Sequence, residues 1–227
     1  MPVTSEFDRF AGQYKKVLDR CLAISGETSE YFAEYKARYI ATAVVPRFAG
    51  KVLDFGCGVG LLSGFLQTYL PAVTLHGFDM SAESIEQMDA KVRSHGIFTA
   101  NLEQLDDDYG LIVLSNVVHH IHPECRQNLI VELRNRLSPA GRLVVFEHNP
   151  VNPLTRWVVS RCPFDEGAVL LPRAETMACL SNAGLHLVRQ TYIVFFPRPL
   201  AWFRALERFL AWCPLGAQYV IVAEKRS

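Results

Sequence analysis

The chain has 227 residues, half of them hydrophobic and a fifth charged, which suits one soluble domain with a large core. Lysine plus arginine equals aspartate plus glutamate at 23 each, so no basic excess exists for a phosphate backbone and nucleic acid is not expected as a partner. Six cysteines, at positions 21, 57, 125, 162, 179 and 213, form no CxxC pair. That spacing disfavours a zinc knuckle or a dense disulfide framework and suits reduced thiols in a cytoplasmic protein. The opening residues lack the apolar core of a signal peptide, and no apolar run is long enough to span a bilayer.

The first forty or so residues predict helices. "SEYFAEYKARYIATAVV" spaces Tyr31, Tyr35 and Tyr39 by four, with Phe32 and Ile40 close to the same face. Pro46 and Gly50 punctuate, and "KVLDF" reads as the first strand. A helix over 61–70 closes at Pro71 and a strand follows over 72–79. Residues 81–96 have a serine N-cap and a glycine stop, the best-marked helix in the chain. Short and long strands are expected at 97–100 and 109–116, with a polar loop between. Pro123 opens a helix that runs to a Pro-Ala-Gly stop, and "RLVVFEH" is the next strand.

Residues 150–172, rich in asparagine, proline and tryptophan, read as an irregular lid or insertion. A helix over 173–184, a strand over 185–196, a helix over 199–213 and a strand over 217–226 complete the chain. Helical crossovers between near-continuous apolar strands imply a parallel sheet covered on both faces, and the ending suits an antiparallel edge. Residues 1–48 are expected to form an N-terminal helical cap and 49–227 the core. On the 199–213 helix, Trp202, Phe203, Leu206, Phe209 and Leu210 make a broad apolar face, with Trp212 just beyond. Covering the sheet is its expected role. An apolar acceptor, a membrane interface or a partner subunit is the alternative.

"VLDFGCGVG", residues 52–60, ends a strand in Asp54 and then places Gly56, Gly58 and Gly60 at every second position. Such glycines let the backbone turn tightly and approach a ligand, and the next helix points free N–H groups there. A dinucleotide fold would require a glycine at position 61, which is Leu61, and a P-loop would require Gly-Lys followed by Ser or Thr, which is absent. An NAD oxidoreductase is therefore disfavoured. Asp79 ends the second strand about twenty residues on, where a carboxylate meets ribose hydroxyls.

The run "VLDFGCGVG", "GFDMS", "NLEQL" and "YGLIVLSNVVHHI" resembles the class I S-adenosylmethionine-dependent methyltransferases, more narrowly their small-molecule branch, over roughly residues 50 to 150. The resemblance implies a Rossmann-like fold: a seven-stranded, mostly parallel sheet with an antiparallel edge strand and helices on both faces. It implies S-adenosyl-L-methionine as cofactor. Asp54, Gly56, Gly58 and Gly60 would surround its methionine and ribose portion, with Cys57 contributing backbone. Asp79 would bind the ribose hydroxyls, Met80 would pack on adenine, and Leu102 would offer it a backbone N–H. Asn101 stands where the family often has an aspartate, and its carbonyl oxygen can still accept from the adenine amino group. Ser115 and Asn116 would line the path to the sulfonium.

The expected reaction is methyl transfer to a small organic acceptor, with oxygen the favoured target atom. The alternative is a protein of the same fold that binds the cofactor without transferring its methyl group. An acceptor hydroxyl needs a proton removed, a task for histidine near neutral pH. His120 is the first candidate base, and His148 beside Glu147 the second. Tyr14, Asn116, His119, Arg156 and Trp157 are candidate acceptor contacts, with Arg161 and Asp165 also on the lid. Lys36 and Arg38 read first as solvated surface charge and second as partners of the methionine carboxylate. No metal is expected, since no obvious carboxylate or cysteine partner for the HHxH cluster is read from the sequence nearby. An apolar or lipid-linked acceptor is compatible with the C-terminal helix, and a monomer or homodimer is expected.

Overall fold

Seven strands form one sheet in the order β3-β2-β1-β4-β5-β7-β6 in the computed structural model, which describes residues 13–226. The strands are β1 (Gly50–Phe55), β2 (Val73–Phe78), β3 (Ile97–Thr99), β4 (Tyr109–Ser115), β5 (Leu137–His148), β6 (Leu185–Ile193) and β7 (Gln218–Lys225). β1 through β5 pair in parallel, whereas β7 runs antiparallel to both β5 and β6. The antiparallel strand thus lies one place inside the edge, and the last strand in sequence fills the gap left by the one before it.

The strands read as continuous apolar runs because both faces are buried. Leu53, Phe55, Ile112 and Leu114 point to one face, under the helices α6 (Pro123–Arg136) and α8 (Arg173–Asn182). Val52, Leu111 and Val113 point to the other, under α2 (Ser29–Tyr39) and α3 (Leu61–Tyr69). Each alternate side chain has its own core, so no polar face is left for a sequence pattern to show. The helix α1 (Tyr14–Leu22) precedes these, and Asp19 accepts the Ser29 backbone and hydroxyl protons at 2.7 Å, tying it to the start of α2.

Four expectations change. The helix over 81–96 is two short ones, α4 (Ala82–Glu86) and α5 (Ala90–Ser94), because Asp89 turns out of the helix and caps the second through the Lys91 N–H. The helix begun at Pro123 stops at Arg136, and the following Ser-Pro-Ala-Gly belongs to β5, with Ala140 in the left-handed region. The segment after β5 is not wholly irregular: Asn152 caps α7 (Pro153–Val159) by accepting from the Leu154 and Thr155 N–H groups. Finally, residues 199–213 are no regular helix. A 3₁₀ stretch, Arg198–Leu206, kinks at Leu200 and passes into the single turn α9 (Glu207–Leu210). Its apolar residues do not cover the sheet: Trp202, Leu206 and Phe209 are exposed. At the kink, Leu200 holds φ −112° and ψ 20°, outside the helical region.

Candidate active site

At the carboxyl ends of β1, β2, β4 and β5 lies a cavity of about 910 Å³, roofed by α1, α2 and the segment after β5. The loop after β1 forms its floor. Gly56 and Gly60 hold φ of 80° and 78°, and a Cβ on Gly56 would stand 2.4 Å from Val117 Cγ2, so no other residue fits there. The Asp79 carboxylate accepts from the Gly58 N–H at 2.7 Å and the Ser81 N–H at 2.9 Å, which pins the loop to the end of β2. Asp54 is buried and accepts the Ser63 hydroxyl proton at 2.7 Å. Burial raises its pKa to about 6, the Ser63 bond opposing the shift.

Lys36 corrects the surface-charge reading. It is 4 % exposed, lines the cavity and donates to Ser115 Oγ at 2.9 Å, and burial lowers its pKa to about 8. Arg38, two residues on, is exposed as expected. The carbonyl oxygens Asn116 Oδ1 and Gln218 Oε1 are both buried, without a hydrogen-bond partner, and on residues that line the cavity. Asn116 also holds φ at 57°, an uncommon backbone for a residue other than glycine. The Lys36 ammonium and these two acceptors line one cavity, the donor and acceptor types that a group carrying both charges, such as the amino-acid end of a ligand, requires.

Just after β4, His119 is 1 % exposed and lies between two carboxylates: Nδ1 is 2.6 Å from Glu147 Oε2, and Nε2 is 3.3 Å from Asp165 Oδ1. Burial alone would lower its pKa, but Glu147 and Asp165 outweigh burial and raise it to about 9. His119 is therefore an imidazolium at neutral pH. His120 and His148 lie against it, with ring centroids at 4.1 and 5.1 Å. Burial, and then the His119 charge, lower both to about 4. Two neutral imidazoles thus flank one charged one. His120 Nε2 is 3.6 Å from Asp165 Oδ1, so His119, His120 and Asp165 bring three donor atoms within 4.8 Å, close enough to share a cation. A hydrogen bond also closes the His119–Asp165 pair, so the carboxylate for this cluster comes from the segment after β5 and not from beside the histidines in sequence.

The structure brings most of the expected residues to one cavity. Asp54, Gly56, Cys57, Gly58, Asp79, Met80, Asn101 and Leu102, all expected to meet the cofactor, line it. Ser115, Asn116, His119, His120, His148 and Tyr14 line it too, and the Tyr14 ring packs 4.7 Å from that of Phe164. Burial raises the Tyr14 hydroxyl pKa well above the usual phenol range. Gly60 lies behind the wall, against Met88. Asn101 spends its carbonyl oxygen on the Glu103 N–H, which starts the turn Leu102–Gln104. Arg156 and Trp157 are not in the cavity: α7 buries Thr155 and Val159 and turns Arg156 and Trp157 outward, where Arg161 stacks on the Trp157 ring at 4.3 Å. His122 also stands outside, exposed beside Glu124. Gln218 was not legible as a site residue, because a glutamine opening the final strand carries no motif.

A family model described as "Methyltransferase domain" matches residues 53–143. Residues 53–143 are thus similar to a methyltransferase domain, and the sheet has the class I S-adenosylmethionine-dependent methyltransferase fold. S-adenosyl-L-methionine is the cofactor that this domain and fold imply. The domain is 25% identical over 128 residues to "Ribosomal RNA small subunit methyltransferase C" of Vibrio vulnificus, a match covering 52% of this chain and 38% of the relative. The chain thus spans less than half the length of that curated relative. A crystal structure of a SAM-dependent methyltransferase from Archaeoglobus fulgidus superposes with a TM-score of 0.68 at 16% identity, over 87% of this chain and 95% of that one. The N-methyltransferase NodS of Bradyrhizobium japonicum, solved with S-adenosyl-L-homocysteine, gives 0.62 at 15%, over 94% and 98%. At those identities the likeness concerns the fold.

The residues present fit the cofactor. The glycine cradle admits no side chain at Gly56, Asp79 supplies a carboxylate for a diol, and Asn116 Oδ1 and Gln218 Oε1 are acceptors in want of a donor. The Lys36 ammonium would meet the methionine carboxylate, and Met80 and Leu102 would flank the adenine at the rim. Among the described residues, no helix is long and apolar enough to cross a membrane.

Proposed function

We propose that the chain transfers the methyl group of S-adenosyl-L-methionine to an oxygen of a small organic acceptor. The observation that carries the reading is the neutral His120 ring in the same cavity as the glycine loop, with Asp165 Oδ1 3.6 Å from its Nε2. The cofactor supplies an activated methyl group. His120 takes the acceptor's hydroxyl proton as the oxygen–carbon bond forms and the sulfur–carbon bond breaks, giving S-adenosyl-L-homocysteine. Asp165 then faces the imidazolium so formed, and His148 is the second base within reach of the same space. His119, Asn116 and Tyr14 bound the acceptor's part of the cavity, with residues 13–48 of the expected 1–48 cap over it and 150–172 as lid; residues 1–12 lie outside the described residues.

A small acceptor is supported by the enclosed cavity and by the balance of 23 basic and 23 acidic residues, which offers no field for a nucleic acid. The ribosomal RNA in the name of the Vibrio relative belongs to that protein. Six free thiols support a reducing, cytoplasmic setting.

Calorimetry with S-adenosyl-L-homocysteine tests the cofactor side, and turnover of labelled cofactor across a panel of small hydroxylated acceptors tests the chemistry. Asp79→Ala removes a charged acceptor and is expected to weaken cofactor binding by about 100-fold. His120→Ala is expected to lower turnover by about 10²–10⁴-fold with cofactor affinity unchanged. Turnover unaffected by His120→Ala would remove that residue from the mechanism. A folded protein that binds no sulfur ligand would sink the reading as a whole.

A further inference from the structure

The apolar residues that failed to cover the sheet form a surface of their own. Trp202, Phe209, Trp212 and Leu215 are 73, 61, 76 and 58 % exposed, within fourteen residues of chain. This stretch is sewn to the lid: Asn152 Nδ2 donates to Leu215 O at 2.6 Å, and Thr155 Oγ1 donates to Ala217 O at 2.9 Å. Across that seam lie exposed Val151, Leu154 and Trp157. One apolar strip therefore runs from the C-terminal turns onto α7, and the chain that leaves α7 places Phe164 and Asp165 in the cavity.

The charges on the strip have one sign. Residues 151–161 and 198–215 contain five arginines and one carboxylate, Glu207. Glu207 is turned inward, accepting from the Phe195 and Phe196 N–H groups at 3.1 Å, and Arg204 is paired with Glu27. Arg156, Arg161, Arg198 and Arg208 remain exposed on the outside. In a chain of zero net charge, this is a local concentration of cations among tryptophans. A second copy docked face to face would set arginine against arginine, with no outward carboxylate to answer it. Tryptophan, phenylalanine and arginine side by side match the headgroup layer of an anionic bilayer, where the rings enter the acyl boundary and the guanidinium groups meet phosphates.

We propose that this strip is a peripheral membrane-docking surface for anionic lipid, holding the lid side of the cavity against the bilayer. The inference concerns the surface and not the acceptor, so it is read by partition without any turnover. Flotation of the full chain with vesicles of phosphatidylcholine alone, and of phosphatidylcholine with phosphatidylglycerol, is the experiment. Partition onto the anionic vesicles, with a blue shift of tryptophan emission and release at high salt, is expected. Trp202→Ala with Trp212→Ala should reduce it by about tenfold, and Arg198→Gln with Arg208→Gln by about thirtyfold. Retained binding of S-adenosyl-L-homocysteine shows that each variant is folded. Absence of partition onto either vesicle would overturn the proposal. So would a concentration-dependent dimer that the same substitutions dissolve, which would assign the strip to a second copy.

Discussion

His119 shows how one side chain sets the state of its neighbours. Its charge is held by Glu147 and Asp165, and that same charge adds to burial in keeping His120 and His148 neutral. The folded pKa of His119 lies above its ordinary value of 6.5, at about 9. The folded state therefore binds this proton more tightly, and the stability it contributes is full below pH 6.5 and lost as pH rises through about 9. In urea titrations from pH 6 to 10, the stability difference between the wild type and His119→Gln is expected to shrink across that window. A difference independent of pH would show that His119 is neutral in the fold. The proton, the two carboxylates and their order were not legible in "VVHHI", because Asp165 lies 46 residues beyond His119. Lys36 was hidden for a related reason. On a polar-looking helix its spacing matched surface charge, and only the packing of α2 across the cavity buries it.

At the scale of the element, α7 is the piece that joins catalysis to the surface. Asn152 holds it three ways, accepting from Leu154 and Thr155 N–H and donating to Leu215 O. Asn152→Ala is expected to cost about 1–2 kcal/mol, which for a chain of this size lowers Tm by about 2–8 °C. Limited proteolysis should cut residues 153–165 faster in the variant, and an unchanged cleavage rate would show that the cap does not govern the segment. The asparagine and proline of "HNPVNP" made this region look irregular, yet they are the cap and first turn of a helix. The opposite error occurred at 199–213, where apolar periodicity predicted a regular helix and the chain forms a 3₁₀ stretch kinked at Leu200. Periodicity reports which face is apolar, not what covers it.

For the molecule as a whole, the cofactor cavity is where the two halves of the chain meet, since β1, β2, β4 and β5 supply its floor and α1, α2 and the post-β5 segment its roof. A ligand there binds the folded state alone, so S-adenosyl-L-homocysteine at about 100 times its Kd is expected to add about 2.7 kcal/mol of stability. Thermal unfolding should then shift upward by about 5–10 °C, whereas ligand-independent melting would place the ligand elsewhere or nowhere.

The sequence by itself determined the parallel sheet, the glycine loop and Asp79, because each depends on contacts within a strand, a turn or one β-α-β unit. Spacing along the chain is then spacing in space. The insertion of β7 between β5 and β6 has no local signal, as its place depends on pairing across 82 residues from Arg142 to Glu224. The same holds for the cavity's far wall. Gln218, Asp165 and Lys36 come from three separated segments, and none carries a local signature of its role. Only the closed sheet, with its helices packed on both faces, brings their polar atoms out of water and toward one another. The arginines of the outer strip likewise share a surface only because Asn152 and Leu215 meet.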